Sequence, residues 1–258
     1  MPELPDLEAF SGNLNKAFEG KVLTTVTVVN KSKLKVPEKE LKQAIEGQRL
    51  TKIYREGKEL HFAFTNKHVL GLHLMLNGNL NVFEEANPKK NTIIELLFDD
   101  QSGLAMTDFQ GMATPSLDPP PRTAPDALSD ELNFTYLQQK LQTKTAIKKL
   151  LLDQKIIGGI GNAYADEILW DARISPFSHS NKIPPDKIKA LIKSIKHVLK
   201  DAIKHIKQTH PDIITGEIRD FLQIHNSKKT HSPSGAEIKT ALINSRKTYY
   251  TNEQELYE

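Results

Sequence analysis

An α+β chain of two domains is predicted by three observations: a first half of short strands, a proline-rich break, and a second half of amphipathic helix. Residues 21–114 carry short β-branched or alternating segments, KVLTTVTVV, ELHFAF, VLGLHLML and TIIELLF, separated by Asn, Gly and charged clusters. Residues 115–130, PSLDPPPRTAPDALSD, hold five prolines and read as a semi-rigid spacer. From residue 131 onward apolar residues recur at helical spacing. The first domain is expected over 1–114, as a two-sheet β-sandwich with flanking helices, and the linker over 115–130.

A chain of 258 residues is long enough for two ordinary cores. It has no cysteine, so disulfides and cysteine-ligated metal sites are excluded. No run of 18 apolar residues occurs, and Met1-Pro2-Glu3 opens the chain without a basic or apolar leader. A membrane span and export are therefore not expected, and a cytoplasmic protein is. The net charge of +3 is unevenly placed. Residues 1–130 hold 15 Lys/Arg against 18 Asp/Glu, and residues 131–258 hold 20 against 14. The basic half points to a polyanion partner, or to a helical surface solvated by lysines.

In chain order, Pro5 suits a first helical turn, and Leu7, Phe10, Leu14 and Phe18 then fall on one face up to Gly20. Pro2 is small enough for removal of the initiator methionine. The mature chain would begin with a secondary amine followed directly by the carboxylate of Glu3. A free α-amine has a pKa of about 7.7–8.0, so part of it is an unprotonated nucleophile near neutral pH. Within the strand region Leu60, Phe62 and Phe64 alternate, as do Leu70, Leu72, Leu74 and Leu76. One helix interrupts the strands, from Pro37 to Gly47, with Leu41, Ala44 and Ile45 inward.

In the second half, Leu132, Tyr136, Leu137 and Leu141 make one helical face. Ala146 to Leu152 forms an approach helix on which Lys148 is a solvated lysine or a phosphate contact. Gly158, Gly159, Gly161 and Asn162 then form a turn before a helix from Ala163 to Trp170. Such a turn lets the backbone approach another chain closely, and the N–H groups opening the next helix suit a phosphate. Residues 184–208 give the most regular helix, with Ile188, Leu191, Ile192, Ile195, Leu199, Ile203 and Ile206 inside and seven lysines around the rest.

Several of these strings, in this order, resemble the Fpg/Nei family of DNA glycosylases: PELPDLE, the Gly57-Lys58 turn of REGKEL, HLMLNG, GIGNAYADEIL and RKTYYTNEQ. The resemblance spans essentially the whole chain. It implies a helix–two-turn–helix domain over 131–222 and a β-hairpin finger over 223–258, with a DNA seat between the domains. It assigns Pro2 as nucleophile, Glu3 as proton shuttle and Lys58 as a lysine beside the damaged nucleotide. Asp6 stands where the family has glutamate. The DNA-binding set it implies is His73, Leu76, Lys148, Asn162 and Arg246. Leu76 would be a wedge filling the gap of the flipped base, or alternatively the last inward residue of a strand. Asp108 keeps its place in TDFQGMAT, but Gly111 and Met112 replace the Arg and Phe that face the opposite base.

The finger lacks every cysteine. Thr230 to Gly235 stands for the first ligand pair, Thr251 and Gln254 for the second, and His225 and His231 alone cannot complete a tetrahedron. A zincless hairpin is expected, packed on Ile238, Tyr249 and Tyr250, with no cofactor. Between Arg219 and Ile224 the chain is also short of the loop that covers 8-oxoguanine in Fpg enzymes. The implied protein is a monomeric, nucleoid-associated glycosylase and lyase acting on damaged double-stranded DNA, with oxidised pyrimidines, formamidopyrimidines or abasic sites as substrates. The rival is a DNA-binding protein of the same fold without the chemistry. A ribosomal or topoisomerase helix–two-turn–helix module would not need Pro2-Glu3.

Overall fold

The computed structural model describes residues 1–258. They form two compact units: residues 1–121 with 206–217, and residues 122–205 with 218–258. Residues 206–217 therefore leave the helical block in which the sequence placed them. Ile213 and Ile214 pack on the first unit's core. The Asn13 amide donates to the Ile213 carbonyl (2.8 Å), and the Leu80 N–H donates to Thr215 Oγ1 (3.2 Å).

In the first unit, α1 (Leu4–Phe18) precedes β1 (Leu23–Val28), α2 (Glu38–Ile45), β2 (Leu50–Glu56), β3 (Glu59–Phe64) and β4 (Val69–His73). β5 (Asn79–Glu84), β6 (Thr92–Phe98), β7 (Ser102–Thr107) and β8 (Thr114–Leu117) follow. Two four-stranded antiparallel sheets result, ordered β1-β6-β7-β5 and β2-β3-β4-β8. The alternation in ELHFAF buries Leu60, Phe62 and Phe64 as expected, and Leu60 pairs with Leu72 and Phe62 with Leu70 across to β4. With Phe10, Leu14 and Phe18 of α1 and Leu96, Phe98 and Leu104 of the other sheet, they make one core. Each such side chain contributes about 1.5–3 kcal/mol relative to exposure.

The run from Val69 to Leu76 does not stay extended. Met75 adopts φ +53 and the Gly78 N–H returns to the Leu74 carbonyl (2.8 Å), so β4 ends at His73. A Cβ on Gly78 would lie 2.2 Å from that carbonyl oxygen, which excludes any other residue there. The proline-rich stretch is also less of a spacer than expected. Its start, Pro115 to Leu117, belongs to the edge strand β8, where a proline forfeits no interior ladder bond.

The second unit holds α3 (Phe134–Lys140), α4 (Ile147–Leu152), α5 (Asn162–Asp171), most of α6 (Pro185–Thr209), and the hairpin of β9 (Lys239–Ile243) and β10 (Arg246–Tyr250). The end of the proline-rich stretch packs here. Gly158 donates to the Pro125 carbonyl and its own carbonyl accepts from Ala127, both at 2.9 Å. In α6, Ile188, Leu191, Ile195 and Leu199 are buried as expected, while Ile192 and Ile203 are half-buried. Asn244 and Ser245, both at positive φ, form the tight turn of the hairpin. No helix is long and apolar enough to cross a membrane.

Candidate active site

The amino terminus is held by a reciprocal capping box. Glu3 is the extended residue before α1; its N–H donates to Asp6 Oδ2 (2.8 Å) while its own carboxylate accepts the Asp6 N–H. Both side chains are buried, Asp6 completely. The shorter acid at position 6 therefore suffices to fix Glu3. Pro2 is buried behind Met1, whose amino group pairs with Glu217.

Lys58 sits in the two-residue turn between β2 and β3, with Gly57 at φ +58, and is buried. The turn is braced by Arg55, which sequence reasoning missed. Its Nη1 donates to the Gly57 carbonyl (3.1 Å) and its Nε to Glu8 Oε2 of α1 (3.0 Å). The helix that carries Glu3 and the turn that carries Lys58 are thus tied together by a nearly buried guanidinium.

Beside Lys58, Glu59 lies in contact with His61 (3.1 Å) and Ser116 (3.2 Å). Burial pushes its carboxyl up, but the His61 hydrogen bond, the charges of His61 and His73, and Ser116 bring it below its ordinary value. The carboxylate crosses over Gly71, where a Cβ would meet Ser116 Oγ at 2.7 Å. His73, at the end of β4, accepts the Met75 N–H at Nδ1 (3.1 Å), which puts the proton of the neutral ring on Nε2.

Two loops follow in the same unit. Leu76 is 63% exposed, so the turn after His73 rules out its reading as an inward strand residue. Asn77 Nδ2 donates to Gln110 Oε1 (2.6 Å), joining this loop to residues 108–113. There the buried Asp108 carboxylate accepts three backbone N–H groups, from Gln110 (2.9 Å), Met112 (2.8 Å) and Ala113 (2.8 Å). Phe109 and Met112 project from this frame, 69% and 42% exposed.

In the second unit, Asn162 opens α5 and donates from Nδ2 to the Lys247 carbonyl (2.9 Å). The glycine turn is thereby fixed to the strand on which Arg246 stands exposed. Lys148 is neither solvated nor placed to reach a phosphate. Its side chain is 0% exposed, and its ammonium lies 2.6 Å from Asp166 and 2.8 Å from Thr248 Oγ1. Asp166 also accepts the Tyr249 N–H (3.0 Å) and contacts His225 Nδ1 (2.7 Å). The next residue, Glu167, accepts the N–H groups of Gln223, Ile224 and His225 (2.7–2.8 Å). Burial raises its carboxyl pKa against the pull of those bonds.

The finger's expected ligand positions do not fit a metal. The Thr251 N–H donates to Gln254 Oε1 (2.9 Å) and Gln254 Nε2 to the Ile174 carbonyl (2.9 Å). No three His, Asp or Glu side chains converge to hold an ion. The centre is occupied by Glu253, unremarked in the sequence. Its carboxylate accepts from Ser234, Ser232 (2.9 Å), Thr251 (3.0 Å) and Trp170 Nε1 (3.0 Å), with Arg173 at 3.1 Å. The two tyrosines pack as expected, Tyr249 edge-on to His225 and Tyr250 edge-on to Phe177, while Ile238 is only half-buried.

Residues 1–114 match the family model described as formamidopyrimidine-DNA glycosylase N-terminal domain, and residues 123–212 the model of its H2TH domain. Formamidopyrimidine-DNA glycosylase of Chloroflexus aurantiacus is 33% identical, over 79% of this chain and 77% of its own. That of Lactobacillus gasseri is 29% identical over 97% of both chains. Among solved structures, the complex between the Lactococcus lactis Fpg and an abasic site containing DNA superposes with a TM-score of 0.86 at 25% identity, covering 98% of this chain and 100% of that one.

Proposed function

Because this chain belongs to the formamidopyrimidine-DNA glycosylase family, we propose that it is a DNA glycosylase with lyase activity. It would act as a monomer on oxidised bases and abasic sites in duplex DNA. The observation that carries the reading is the capping box, which holds a buried carboxylate directly after the proline that would be the mature amino terminus.

Once Met1 is removed, the Pro2 nitrogen lone pair attacks the sugar C1′. The glycosidic C–N bond breaks, and the base leaves with its electron pair and a proton. The resulting iminium makes the C2′ proton acidic. Glu3 takes that proton, the C3′–O bond breaks, and the 3′ phosphate departs. Water then hydrolyses the iminium and returns Pro2. Flipping the nucleotide costs a few kcal/mol. We assign the offsetting grip on the DNA backbone to Lys58, His73, Asn162 and Arg246, with Leu76 as the wedge. The seating of Asn162 against the Arg246 strand supports that assignment.

A non-catalytic DNA-binding role is the second reading, favoured by Gly111 and Met112 where the family carries Arg and Phe. Borohydride decides between them. On an abasic-site duplex it should trap a covalent protein–DNA species, and Pro2→Gly or retention of Met1 should abolish it. Full trapping by a preparation that mass analysis shows to retain Met1 would overturn the mechanism. A panel of 8-oxoguanine, formamidopyrimidine and thymine glycol duplexes then identifies the lesion.

A further inference from the structure

We infer that Phe109 acts with Leu76 and Met112 as an all-apolar stacking surface for the nucleobases around the everted nucleotide, so that the opposite base is not read by identity. The inference rests on the proposed action on damaged duplex DNA.

Three of the chain's large exposed apolar side chains come from these two loops, and the Asn77–Gln110 hydrogen bond joins the loops at 2.6 Å. Single exposed apolar residues are ordinary, whereas a grouped set marks an interaction surface. The set is also held in place. Besides its three side-chain bonds to the loop, Asp108 receives the Gly111 N–H on its carbonyl (3.0 Å) and donates its own N–H to Asn91 (2.9 Å). Gly111 sits at φ +63, which lets the chain double back between Phe109 and Met112. A tightly bonded backbone that presents an aromatic ring to solvent is built to offer that ring to a partner.

The chemistry of the surface selects the partner. Its one carboxylate, Asp108, is buried and turned inward onto backbone donors. Around the apolar groups stand only neutral amides, Asn77 and Gln110, and Lys33, whose ammonium lies 4.0 Å from Met112 Sδ. An aromatic ring with aliphatic neighbours and no negative charge suits the π-faces of bases, next to which a lysine meets phosphate. Stacking is tolerant of sequence because every base has a π-face. Glycine at 111 has no side chain to hydrogen-bond a base edge, which is the means by which identity is read.

The test uses the full chain and abasic-site duplexes bearing each of the four bases opposite the site, with an undamaged duplex as control. Affinity and borohydride trapping are measured in parallel. Wild-type affinities for the four abasic duplexes should agree within about three-fold, less than a bidentate base contact confers. Phe109→Ala should weaken all four by about ten-fold, the scale of one lost stacking contact, and leave the undamaged duplex unaffected. Phe109→Trp should restore binding. A wild-type preference of more than about ten-fold for one opposite base would overturn the inference. So would wild-type affinity in Phe109→Ala. Failure of wild type to trap, with the Phe109 effect on binding intact, would instead overturn the lyase reading and leave the stacking surface standing.

Discussion

The Lys148 ammonium lies 2.6 Å from the Asp166 carboxylate with both side chains withdrawn from solvent, and this pair locks α4 to α5 beneath the hairpin. Removing one member strands the other charge in the interior, which costs about 3–5 kcal/mol. Lys148→Ala should therefore lower the melting temperature sharply, and Asp166→Ala likewise. The folded fraction of Lys148→Ala should keep the wild-type salt dependence of DNA binding, since no phosphate contact has been removed. A stable Lys148→Ala protein with a shallower salt slope would restore the lysine to the interface.

Arg246 has the opposite character. It is exposed at the start of β10, and its neighbour's carbonyl is the acceptor that seats Asn162. Arg246→Ala should lose roughly 1–3 kcal/mol of damaged-DNA affinity, as for charge-assisted hydrogen bonds, with little change in thermal stability. Unchanged affinity by titration at fixed salt would remove this arginine from the grip.

Glu253 predicts a pH dependence. The Ser234 hydroxyl, then Trp170, Ser232 and Thr251, hold its carboxyl at about 2 against an ordinary 4.5, while partial burial opposes them. A depressed carboxylate stabilises the fold fully above its unfolded pKa. That contribution is lost as pH falls from about 4.5 towards about 2. Across that window the melting temperature of wild type should fall more steeply than that of Glu253→Gln. At neutral pH, Glu253→Gln should weaken the hairpin and the DNA affinity together, and added zinc should restore neither. Identical acid profiles for the two proteins would refute the role of the carboxylate.

Asp6 separates helix capping from chemistry. Asp6→Ala removes the acceptor of the Glu3 N–H and should cost about 0.5–2 kcal/mol in denaturant titration. Trapping should slow as well, because Glu3 is no longer fixed. Asp6→Asn keeps an acceptor oxygen and should recover most of both. Normal trapping kinetics in Asp6→Ala would show that Glu3 positions itself.

What the sequence discloses and what it hides follow from range. The alternation of Leu60, Phe62 and Phe64 and the long face of α6 are short-range periodicities, and the structure keeps them. The strands β2, β5, β7 and β8 escaped notice because TKIYRE, NLNVFE, SGLAMT and TPSL mix polar, glycine and proline residues with the apolar ones, and only pairing with a neighbour makes them strands. Lys148 reads as solvated because it sits in a Lys-Lys pair, while its partner lies a helix away. Glu253 reads as one more surface acid because its donors come from Trp170, Arg173, Ser232 and Ser234, all distant in the chain except Thr251. Residues 206–217 follow a continuous helix in sequence and yet belong with the sheets.

The Glu253 staple also changes what can poison the hairpin. Residues 122–258 contain no methionine, and the chain contains no cysteine, so the whole second unit is free of sulfur. Thiolates are the side chains that oxidants convert most readily to sulfenic acids and disulfides, and methionine follows. Serine, threonine and carboxylate oxygens have no such chemistry. A hairpin closed by them keeps its shape in peroxide and under metal starvation alike. That resilience belongs to a protein whose proposed workload rises in the same oxidising conditions that would strip metal from a thiolate-held finger.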